Sequence, residues 1–359
     1  MRSRLALLIL AGVLAMSQAS AAPLPPSPRA GPPPAPPIII AHRGASADRP
    51  EHTLAAYALA IEQGADFIEP DLVPTKDGAL VARHENEISG TTDVASHPEF
   101  ADRKATKTID GKAVTGWFTE DFTLAELKSL RARERLPALR PANLAYDAEE
   151  IPTLDQIIAL AKAASARTGR TIGIYPETKH PSYFTALGLP VEPRLLAALA
   201  AAGWTTVDAP VFIQSFEVNN LKALRSQTGV RFIQLIESGL SADGHDYAAM
   251  LTPAGLKAIA AYATGIGPAR DLIIPRDAGG NLLAPTSLVS DAHAAGLEVH
   301  PWTFRPENYF LAAPYRSAGT PLERGNAVAE IRAYLETGID GLFSDSPAAA
   351  VAALAPEAP

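Results

Sequence analysis

The sequence predicts an α/β protein built as a (β/α)8 barrel, with an insertion after the second barrel strand. Eight apolar segments alternate with helical segments, which is the element order of such a barrel. Polar residues stand where these segments end, as expected at the carboxyl-terminal rim of a barrel. These residues are His42, Glu69, Asp71, Glu177, Gln214, Trp302 and Asp345. An open doubly wound sheet fits less well, because it needs a glycine-rich first turn and the sequence there is His-Arg-Gly-Ala-Ser.

The predicted strands are short apolar runs. They span residues 38–42, 67–71, 171–177, 211–216, 231–236, 271–274, 298–304 and 341–344. Helical periodicity predicts helices at 51–64, 124–130, 152–169, 193–202, 218–226, 253–263, 286–295 and 328–337. Thr123 and Glu126 have the spacing of a capping box at the start of the second of these helices.

Residues 86–121 differ from the rest, because they are polar, charged and short of periodic apolar positions. Since they follow the second strand, we expect an insertion that rises over one end of the domain. The barrel domain as a whole is predicted to span residues 38–355.

The first residues of the chain have the pattern of an export signal. Arg2 and Arg4 precede an apolar run at 5–15, and Ala19-Ser20-Ala21 provides small residues at a cleavage site. We expect residues 1–21 to be a signal peptide and the proline-rich residues 22–37 to be an extended linker. An uncleaved membrane anchor is the alternative, but the run is too short to span a bilayer. The mature protein is therefore expected to be periplasmic or secreted.

Composition excludes several classes of partner. The chain has 359 residues, 47% of them hydrophobic, and a formal net charge of −8. No basic run with interleaved aromatic residues is present, which argues against nucleic-acid binding. No amphipathic membrane-binding stretch stands out, so we expect no stable membrane insertion. Because the sequence lacks cysteine, any metal must be held by oxygen or imidazole. The pattern does not specify an oligomeric state.

A candidate acid–base site lies around the second strand. Glu69 and Asp71 are two residues apart, so a strand would point both side chains to one face. Asp77-Gly78 predicts a two-residue hairpin turn that would pair Asp71 with His84. Directly opposed residues share a face of the ribbon. Two carboxylates and an imidazole would then lie together.

These motifs resemble those of the glycerophosphodiester phosphodiesterase family, most closely its bacterial periplasmic type. The first group is AHRGASADRPEHT (41–53), the Glu-x-Asp pair, TKDG (75–78) and the closing V-x-x-H (81–84). The second group is GIYPETKHP (173–181), IQSF (213–216), YATGIGP (262–268), VHPWTFR (299–305) and DGLFSDSP (340–347). The resemblance covers nearly all of the chain after residue 37.

The metal candidates are Glu69, Asp71 and Glu177. From the residues alone, these carboxylates could equally pair with neighbouring basic side chains in a structural network. The resemblance implies that they hold a divalent cation. Calcium is the first expectation, because it accepts oxygen ligands with irregular geometry, and magnesium is the alternative.

His42 and His84 are the candidate catalytic residues. Histidine titrates near neutrality, so a pair can take a proton from a nucleophile and give one to a leaving group. A single histidine at a strand end is more often a hydrogen-bonded core residue, but the resemblance assigns catalysis to both positions. Glu85 follows His84 where the family usually has aspartate, which puts a supporting role for it in doubt. His52, in the first turn of the predicted helix, is given no role.

Four further residues are expected to contact the substrate. Arg43 and Lys179 could neutralise a phosphate, or pair with the metal-binding carboxylates, or do both. Glu51 is either an acid in the first turn of a helix or a partner of the site residues, and the resemblance places it in the site. Trp302 could form a wall of the pocket or belong to the core.

The resemblance implies an enzyme that hydrolyses glycerophosphodiesters to glycerol 3-phosphate and an alcohol. The nucleophile could be water or the glycerol hydroxyl of the substrate. Two alternatives stay open at this point. One is a lysophospholipase D-like enzyme that acts on lipids, and the other is a non-catalytic periplasmic glycerophosphodiester-binding protein.

Overall fold

The computed structural model describes residues 36–356. The predicted signal peptide and nearly all of the predicted linker therefore lie outside the described residues. Between residues 36 and 356, none of the helices combines the length and apolar character needed to cross a membrane.

The described chain alternates strands and helices. The strands are β1 (Ile38–His42), β2 (Phe67–Glu69), β3 (Asp71–Pro74), β4 (Leu80–Ala82), β5 (Ala105–Ile109), β6 (Lys112–Gly116), β7 (Gly173–Ile174), β8 (Glu177–Thr178), β9 (Phe212–Ser215), β10 (Arg231–Ile236), β11 (Gly265–Pro268), β12 (Glu298–Val299) and β13 (Gly341–Ser344). The α-helices are α1 (Leu54–Glu62), α2 (Leu124–Ser129), α3 (Leu154–Thr168), α4 (Pro181–Ala186), α5 (Glu192–Ala202), α6 (Val218–Arg225), α7 (Tyr247–Met250), α8 (Pro253–Ile259), α9 (Leu288–Ala294), α10 (Ala327–Leu335) and α11 (Pro347–Leu354). Thr123 and Glu126 form the predicted capping box of α2.

The barrel strands pair in two runs. One has the order β13-β1-β2-β7, and the other has the order β12-β11-β10-β9-β8-β3, with β4 added as the antiparallel arm of a hairpin. Isolated bridges between Ile174 and Val211 and between Phe304 and Ser344 join the runs. Since all the other barrel pairs are parallel, the structure confirms the predicted (β/α)8 fold.

Two barrel positions are each split by a proline, and this shapes the site. Pro70 separates β2 from β3, and Pro176 separates β7 from β8. A proline has no N–H to donate to the ladder, so it interrupts the pairing. The ladder resumes beyond both prolines with Asp71 opposite Glu177. Glu69 and Asp71 thus lie on either side of Pro70, and Glu177 directly follows Pro176.

The barrel interior is filled by alternating large side chains. In β1, Ile40 belongs to the buried interior cluster, whereas Ile39 and Ala41 pack with the surrounding helices. This alternation is expected for a strand covered on both faces. The other buried members of the interior cluster are Phe67, Tyr175, Phe212, Ile233 and Phe343.

The sixth strand is not where the sequence predicted it. The predicted strand at 271–274 is wrong, because Arg270–Leu272 is a 3-10 helix and the strand is β11. Strand propensity misses β11 because it contains Gly265 and Gly267. A Cβ at Gly265 would lie 2.6 Å from the Glu298 carbonyl oxygen, and a Cβ at Gly267 would lie 2.7 Å from the Leu235 side chain. Close approach of neighbouring strands therefore explains both glycines.

The segment predicted as an insertion, residues 86–121, is mostly short elements. It contains three 3-10 segments and the hairpin β5–β6, whose strands pair antiparallel from Ala105–Gly116 to Ile109–Lys112. The hairpin turn, with Asp110 and Gly111, reaches the mouth of the barrel. Helices α4, α7 and α11 were not predicted.

Candidate active site

The carboxyl-terminal ends of the barrel strands surround a cavity of about 840 Å³. Every predicted site residue except Glu51 lines it, namely His42, Arg43, Glu69, Asp71, His84, Glu177, Lys179 and Trp302. Four of these residues carry a positive or imidazole group, namely His42, Arg43, His84 and Lys179. The topology therefore collects the predicted chemistry at one rim, as a barrel does.

Glu69, Asp71 and Glu177 form a compact carboxylate cluster. One oxygen from each lies within 4.8 Å of the others, and all three residues are buried. The Arg43 N–H donates to Glu69 Oε2 at 2.8 Å, and Gln214 Nε2 donates to Glu69 Oε1 at 3.1 Å. Arg43 adopts a positive φ of 61°, a strained conformation for a side-chain-bearing residue, and this turns its N–H toward the carboxylate.

With all three carboxyl groups ionised, the cluster would carry more negative charge than Arg43 and Lys179 can neutralise. Burial and the carboxylates of Asp71 and Glu177 raise the pKa of Glu69 well above its usual value. Burial likewise raises the pKa of Glu177 to about 8, although Lys179 lies 2.9 Å from it and opposes the shift. Burial alone would also raise the pKa of Asp71, but Lys179 and His52 hold it well below its usual value. Such a site favours an added positive charge.

His52 is the residue that the sequence interpretation missed most clearly. It is fully buried, with Nε2 2.9 Å from Asp71 Oδ2 and Nδ1 2.8 Å from the Tyr57 hydroxyl. Burial lowers the pKa of His52, so its ring is neutral. The Asp71 carboxylate is ionised, and His52 Nε2 therefore donates to it while Tyr57 donates to Nδ1. His52 thus orients a predicted metal ligand. It lies just before Thr53, which caps α1 and so fixes the ring against the barrel.

The predicted hairpin register is wrong by one residue. Leu72 lies opposite Ala82, so Asp71 faces Arg83 rather than His84. Asp77 does not act as a simple turn residue. Its Oδ1 accepts both the Thr75 hydroxyl at 2.5 Å and the Leu124 N–H at 2.9 Å.

His84 nevertheless reaches the cavity, because the ladder ends at Ala82 and strand alternation no longer applies. Arg83 is buried and turns toward backbone carbonyls, including those of Thr91 and His52. Asp71 and His84 therefore both line the cavity, as predicted, but they are not paired across the hairpin.

Both predicted catalytic histidines have a carboxylate at Nδ1. His42 Nδ1 lies 2.6 Å from Asp345 Oδ1, and His84 Nδ1 lies 2.5 Å from Glu85 Oε1. Burial, reinforced by the nearby Arg43 charge, lowers the pKa of His42 to about 4 and that of His84 to about 3. Both rings are neutral at pH 7. Their Nδ1–H groups donate to the carboxylates, which leaves Nε2 of each ring as a proton acceptor.

Arginine side chains form ion pairs with both of these carboxylates, Asp345 and Glu85. Arg140 Nη2 and Arg305 Nε lie 2.6 and 3.0 Å from Asp345 Oδ2. Arg135 bridges Glu85 and Glu51, with its Nη1 2.9 Å from Glu85 Oε1 and its Nε 2.8 Å from Glu51 Oε2. Glu85 therefore does support His84, despite the change from aspartate.

Glu51 lies behind the cavity rather than on its wall. Its Oε2 also accepts from Arg43 Nη1 at 3.0 Å, so its oxygens are occupied by Arg43 and Arg135. Of the two roles considered for it, the geometry favours the partner of a site residue over contact with a ligand. Trp302 does line the cavity, and its Nε1 donates to the Gly267 carbonyl at 2.8 Å.

Comparison with known proteins gives a consistent family match. The sequence profile of the "Glycerophosphoryl diester phosphodiesterase family" matches residues 42–349. Glycerophosphodiester phosphodiesterase GDPD6 of Arabidopsis thaliana is 38% identical over 326 residues, which cover 86% of this chain and 83% of the plant protein. A glycerophosphodiester phosphodiesterase of Haemophilus influenzae is 28% identical, over 85% of this chain and 89% of the relative.

Solved structures share the fold. A phosphodiesterase of Oleispira antarctica, solved in complex with the product sn-glycerol-3-phosphate, superposes with a TM-score of 0.59 at 23% identity and covers 89% of this chain and 97% of its own. A glycerophosphodiester phosphodiesterase of Agrobacterium tumefaciens superposes with a TM-score of 0.55 at 19% identity, over 87% and 98% of the two chains.

Proposed function

The chain belongs to the glycerophosphoryl diester phosphodiesterase family and hydrolyses glycerophosphodiesters, and we propose that it does so with a divalent cation and a pair of histidines. The observation that carries the proposal is the placement of three buried carboxylates and two carboxylate-supported imidazoles around one cavity. The proposed products are glycerol 3-phosphate and the free alcohol.

Glu69, Asp71 and Glu177 are the residues that would hold the cation. Their donor atoms are carboxylate oxygens only, which suits a hard ion such as Ca²⁺, with Mg²⁺ as the alternative. The raised pKa values of Glu69 and Glu177 support this fit, because a cation would offset the burial and the carboxylate repulsion that cause them. When bound, the ion would supply positive charge that stabilises the negative charge of the transition state.

Arg43 and Lys179 would bind the phosphate. Both side chains line the cavity, and neighbouring carboxylates raise the pKa of each above its usual value despite burial. They are therefore charged at neutral pH. Arginine presents a fork of donors that suits phosphate oxygens, and lysine adds a compact charge.

His42 and His84 would move the protons. The attacking oxygen gives its proton to Nε2 of one imidazole as it bonds to phosphorus. The bond from phosphorus to the alcohol oxygen breaks, and that oxygen takes a proton from the other imidazole. An anionic phosphodiester beside the rings favours the protonated form that the acid requires.

Export to the periplasm or the medium is proposed as the setting of this activity. It rests on the charged, apolar and small-residue segments of residues 1–21. Mass spectrometry of the mature protein is expected to find a new terminus at Ala22, and an intact Met1 on envelope protein would contradict export.

The test of the proposed chemistry is a coupled assay for glycerol 3-phosphate. Chelator should abolish its release from glycerophosphocholine, and calcium or magnesium should restore it. His42→Ala and His84→Ala should each lower kcat by roughly 10²-fold or more while substrate binding survives. Glu62→Gln, on the exposed face of α1, is the control substitution.

Distinct outcomes contradict distinct parts of this proposal. Choline phosphate as the product would place the cleavage on the wrong side of phosphorus. Full activity in metal-free protein would assign the carboxylates another role. A preference for lysolipid micelles would favour the lipid-directed enzyme, and tight binding without turnover would indicate a binding protein.

A further inference from the structure

The cavity extends well beyond the groups assigned to phosphate chemistry. Strands β9 and β10 end at Ser215 and Ile236, and the residues that follow them line the side away from the histidines. We call this side the headgroup wall, defined by Phe216, Glu217, Glu237, Tyr247 and Trp302. None of its members except Trp302 was predicted from the sequence to belong to the site.

Three aromatic rings make the wall a continuous surface. Phe216 meets Trp302 edge to face at 5.7 Å between ring centroids and meets Tyr247 in the same manner at 6.4 Å. The polar tips of two rings bond to the backbone, since Trp302 Nε1 donates to Gly267 and the Tyr247 hydroxyl donates to Phe216. What the rings offer a ligand is therefore mainly their hydrocarbon and π surface.

The wall also carries two carboxyl groups, Glu217 and Glu237, and burial raises the pKa of Glu217 above its usual value. Glu217 is buried and accepts from the N–H and hydroxyl of Ser182, whereas Glu237 is exposed and makes no ion pair within residues 36–356. The charged groups with the largest effect on Tyr247 are acidic. Burial first, and then Glu237 with three other carboxylates, raises the pKa of Tyr247 above its usual value.

Most positive groups of the cavity lie elsewhere, and the one that reaches the wall is Lys179, whose Nζ lies 5.8 Å from the centre of the Phe216 ring. Arg43, Lys179 and Arg305 lie on the phosphate side, where acidic residues pair with each of them. Near the insertion hairpin, His180 is paired with Asp110 at 2.6 Å, and Lys112 is the remaining basic lining residue. The cavity thus has charged groups of both signs next to the histidines, and an aromatic wall with two carboxyl groups on the other side.

The cavity also contains polar atoms without a partner. Gln214 and Thr303 both line it and are buried, and in the described chain neither Gln214 Oε1 nor Thr303 Oγ1 has a hydrogen-bond partner. Buried polar groups are normally bonded. A quaternary ammonium has no N–H to donate, so these two oxygens do not contribute hydrogen bonds to such a ligand.

We propose that the headgroup wall binds the alcohol half of the diester and selects alcohols that carry a positive charge, such as a quaternary or primary ammonium. A cation gains from aromatic faces and from nearby carboxylates, and a neutral alcohol gains from neither. This inference rests on the proposed function, because it assigns the leaving group of the same reaction.

The test compares substrates that differ in the charge of the alcohol. With metal-loaded enzyme, kcat/KM for glycerophosphocholine and glycerophosphoethanolamine should exceed that for glycerophosphoglycerol by roughly tenfold. Glu237→Gln and Trp302→Leu should each reduce this ratio severalfold, mainly through KM. Glu62→Gln should leave the ratio unchanged, since Glu62 lies on the exposed face of α1.

A second measurement needs no variant. Choline and 3,3-dimethylbutan-1-ol have nearly the same shape, but only choline is charged. Choline should inhibit hydrolysis of glycerophosphoglycerol, and the neutral isostere should inhibit it at least severalfold less well.

The outcomes separate this inference from the function on which it rests. Equal kcat/KM values for all three diesters, or equal inhibition by the two alcohols, would overturn the headgroup wall while the phosphodiesterase function stands. A cation preference that survives both substitutions would also overturn it. Failure to hydrolyse any of the diesters would instead refute the proposed function, and the inference would fall with it.

Discussion

His42 Nδ1 lies 2.6 Å from Asp345 Oδ1, so a side-chain hydrogen bond at the active site adds to the backbone pairing of the first and last barrel strands. Asp345 also binds Arg140 and Arg305, and these charges hold its pKa well below the usual value although burial would raise it. An ionised Asp345 accepts from Nδ1–H and leaves His42 Nε2 free to accept a proton.

Asp345→Asn should therefore impair His42 without removing it. An amide can present either an oxygen or an N–H to Nδ1, so the ring is no longer held in one tautomer. We expect kcat to fall by roughly 10²-fold or more. In a double-mutant cycle, Asp345→Asn should add little to His42→Ala, because the two residues act as one unit.

Asp340 provides the control for this substitution. It lies just before the same strand, β13, pairs with His293 at 2.9 Å, and does not line the cavity. Asp340→Asn should leave kcat near the wild-type value. Fully additive losses in the cycle with His42→Ala would contradict the coupling.

Arg135 is expected to act as a positioning residue for His84. Its guanidinium and His84 hold the pKa of Glu85 below the usual value against the effect of burial. Without Arg135, Glu85 gains a proton at higher pH and no longer accepts from His84. Arg135→Met should lower kcat by about tenfold or more and move the acidic limb of the kcat–pH profile to higher pH. Arg135→Lys should restore part of the loss.

Arg131 offers a matched control, because its guanidinium bonds to carbonyls at the end of α2. Arg131→Met should leave the pH profile in place. A reduced kcat with an unshifted profile for Arg135→Met would mean that Arg135 contributes only to folding.

The fold was predictable where local pattern and tertiary environment agree. In β1, three consecutive isoleucines give both high strand propensity and the burial that a covered barrel strand requires. In β11, glycines at 265 and 267 are demanded by the approach of neighbouring strands, which no local pattern reveals. The nearby apolar residues 271–274 were therefore mistaken for the strand.

The site was predictable in its residues but not in its supporting contacts. Alternation correctly brought Glu69 and Asp71 together, but the hairpin register failed because Asp77 is engaged by the amide of Leu124, 47 positions away. Arg135 reaches Glu51 across 84 positions from an irregular segment. Its role follows from the fold and not from spacing.

His300 should make the protein sensitive to acid. It is buried in the barrel, where Nδ1 lies 2.8 Å from the Tyr175 hydroxyl, and burial lowers its pKa from 6.5 to about 4. Above pH 6.5 the ring is neutral in both folded and unfolded chains. Between pH 6.5 and 4 the proton binds mainly to the unfolded chain. The free energy of unfolding therefore decreases as the pH falls through this range. The loss should approach about 3 kcal/mol.

The measurement is urea unfolding at pH 7.5 and pH 4.5. His300→Asn should lower the free energy of unfolding at pH 7.5, because it alters a packed interior. The free energy of unfolding should nevertheless differ less between pH 7.5 and pH 4.5 in this variant than in the wild type. The exposed pair of His293 with Asp340 supplies the control, His293→Asn, which should retain the wild-type difference. An unchanged difference for His300→Asn would show that the ring titrates normally.

Cation binding should release protons from the carboxylate cluster. Because the pKa of Glu177 is raised to about 8, this carboxyl is largely protonated at pH 7 in the cation-free protein, and Glu69 is shifted in the same direction. A ligand carboxyl must lose its proton to bind, so the affinity for Ca²⁺ should rise with pH up to about 8. Calorimetry at pH 7 in two buffers of different protonation enthalpy should report the release of about one proton or more per cation.

Two substitutions locate the source of these protons. Glu177→Gln should weaken binding and reduce the release by about one proton, because an amide has none to lose. Glu134 is a matched comparison, since its pKa is also raised by burial but it bonds to Asn143 and Leu136 outside the cluster. Glu134→Gln should leave the release intact. Binding heats that do not depend on the buffer would show that the cluster is already ionised, and that other charges neutralise it before the cation arrives.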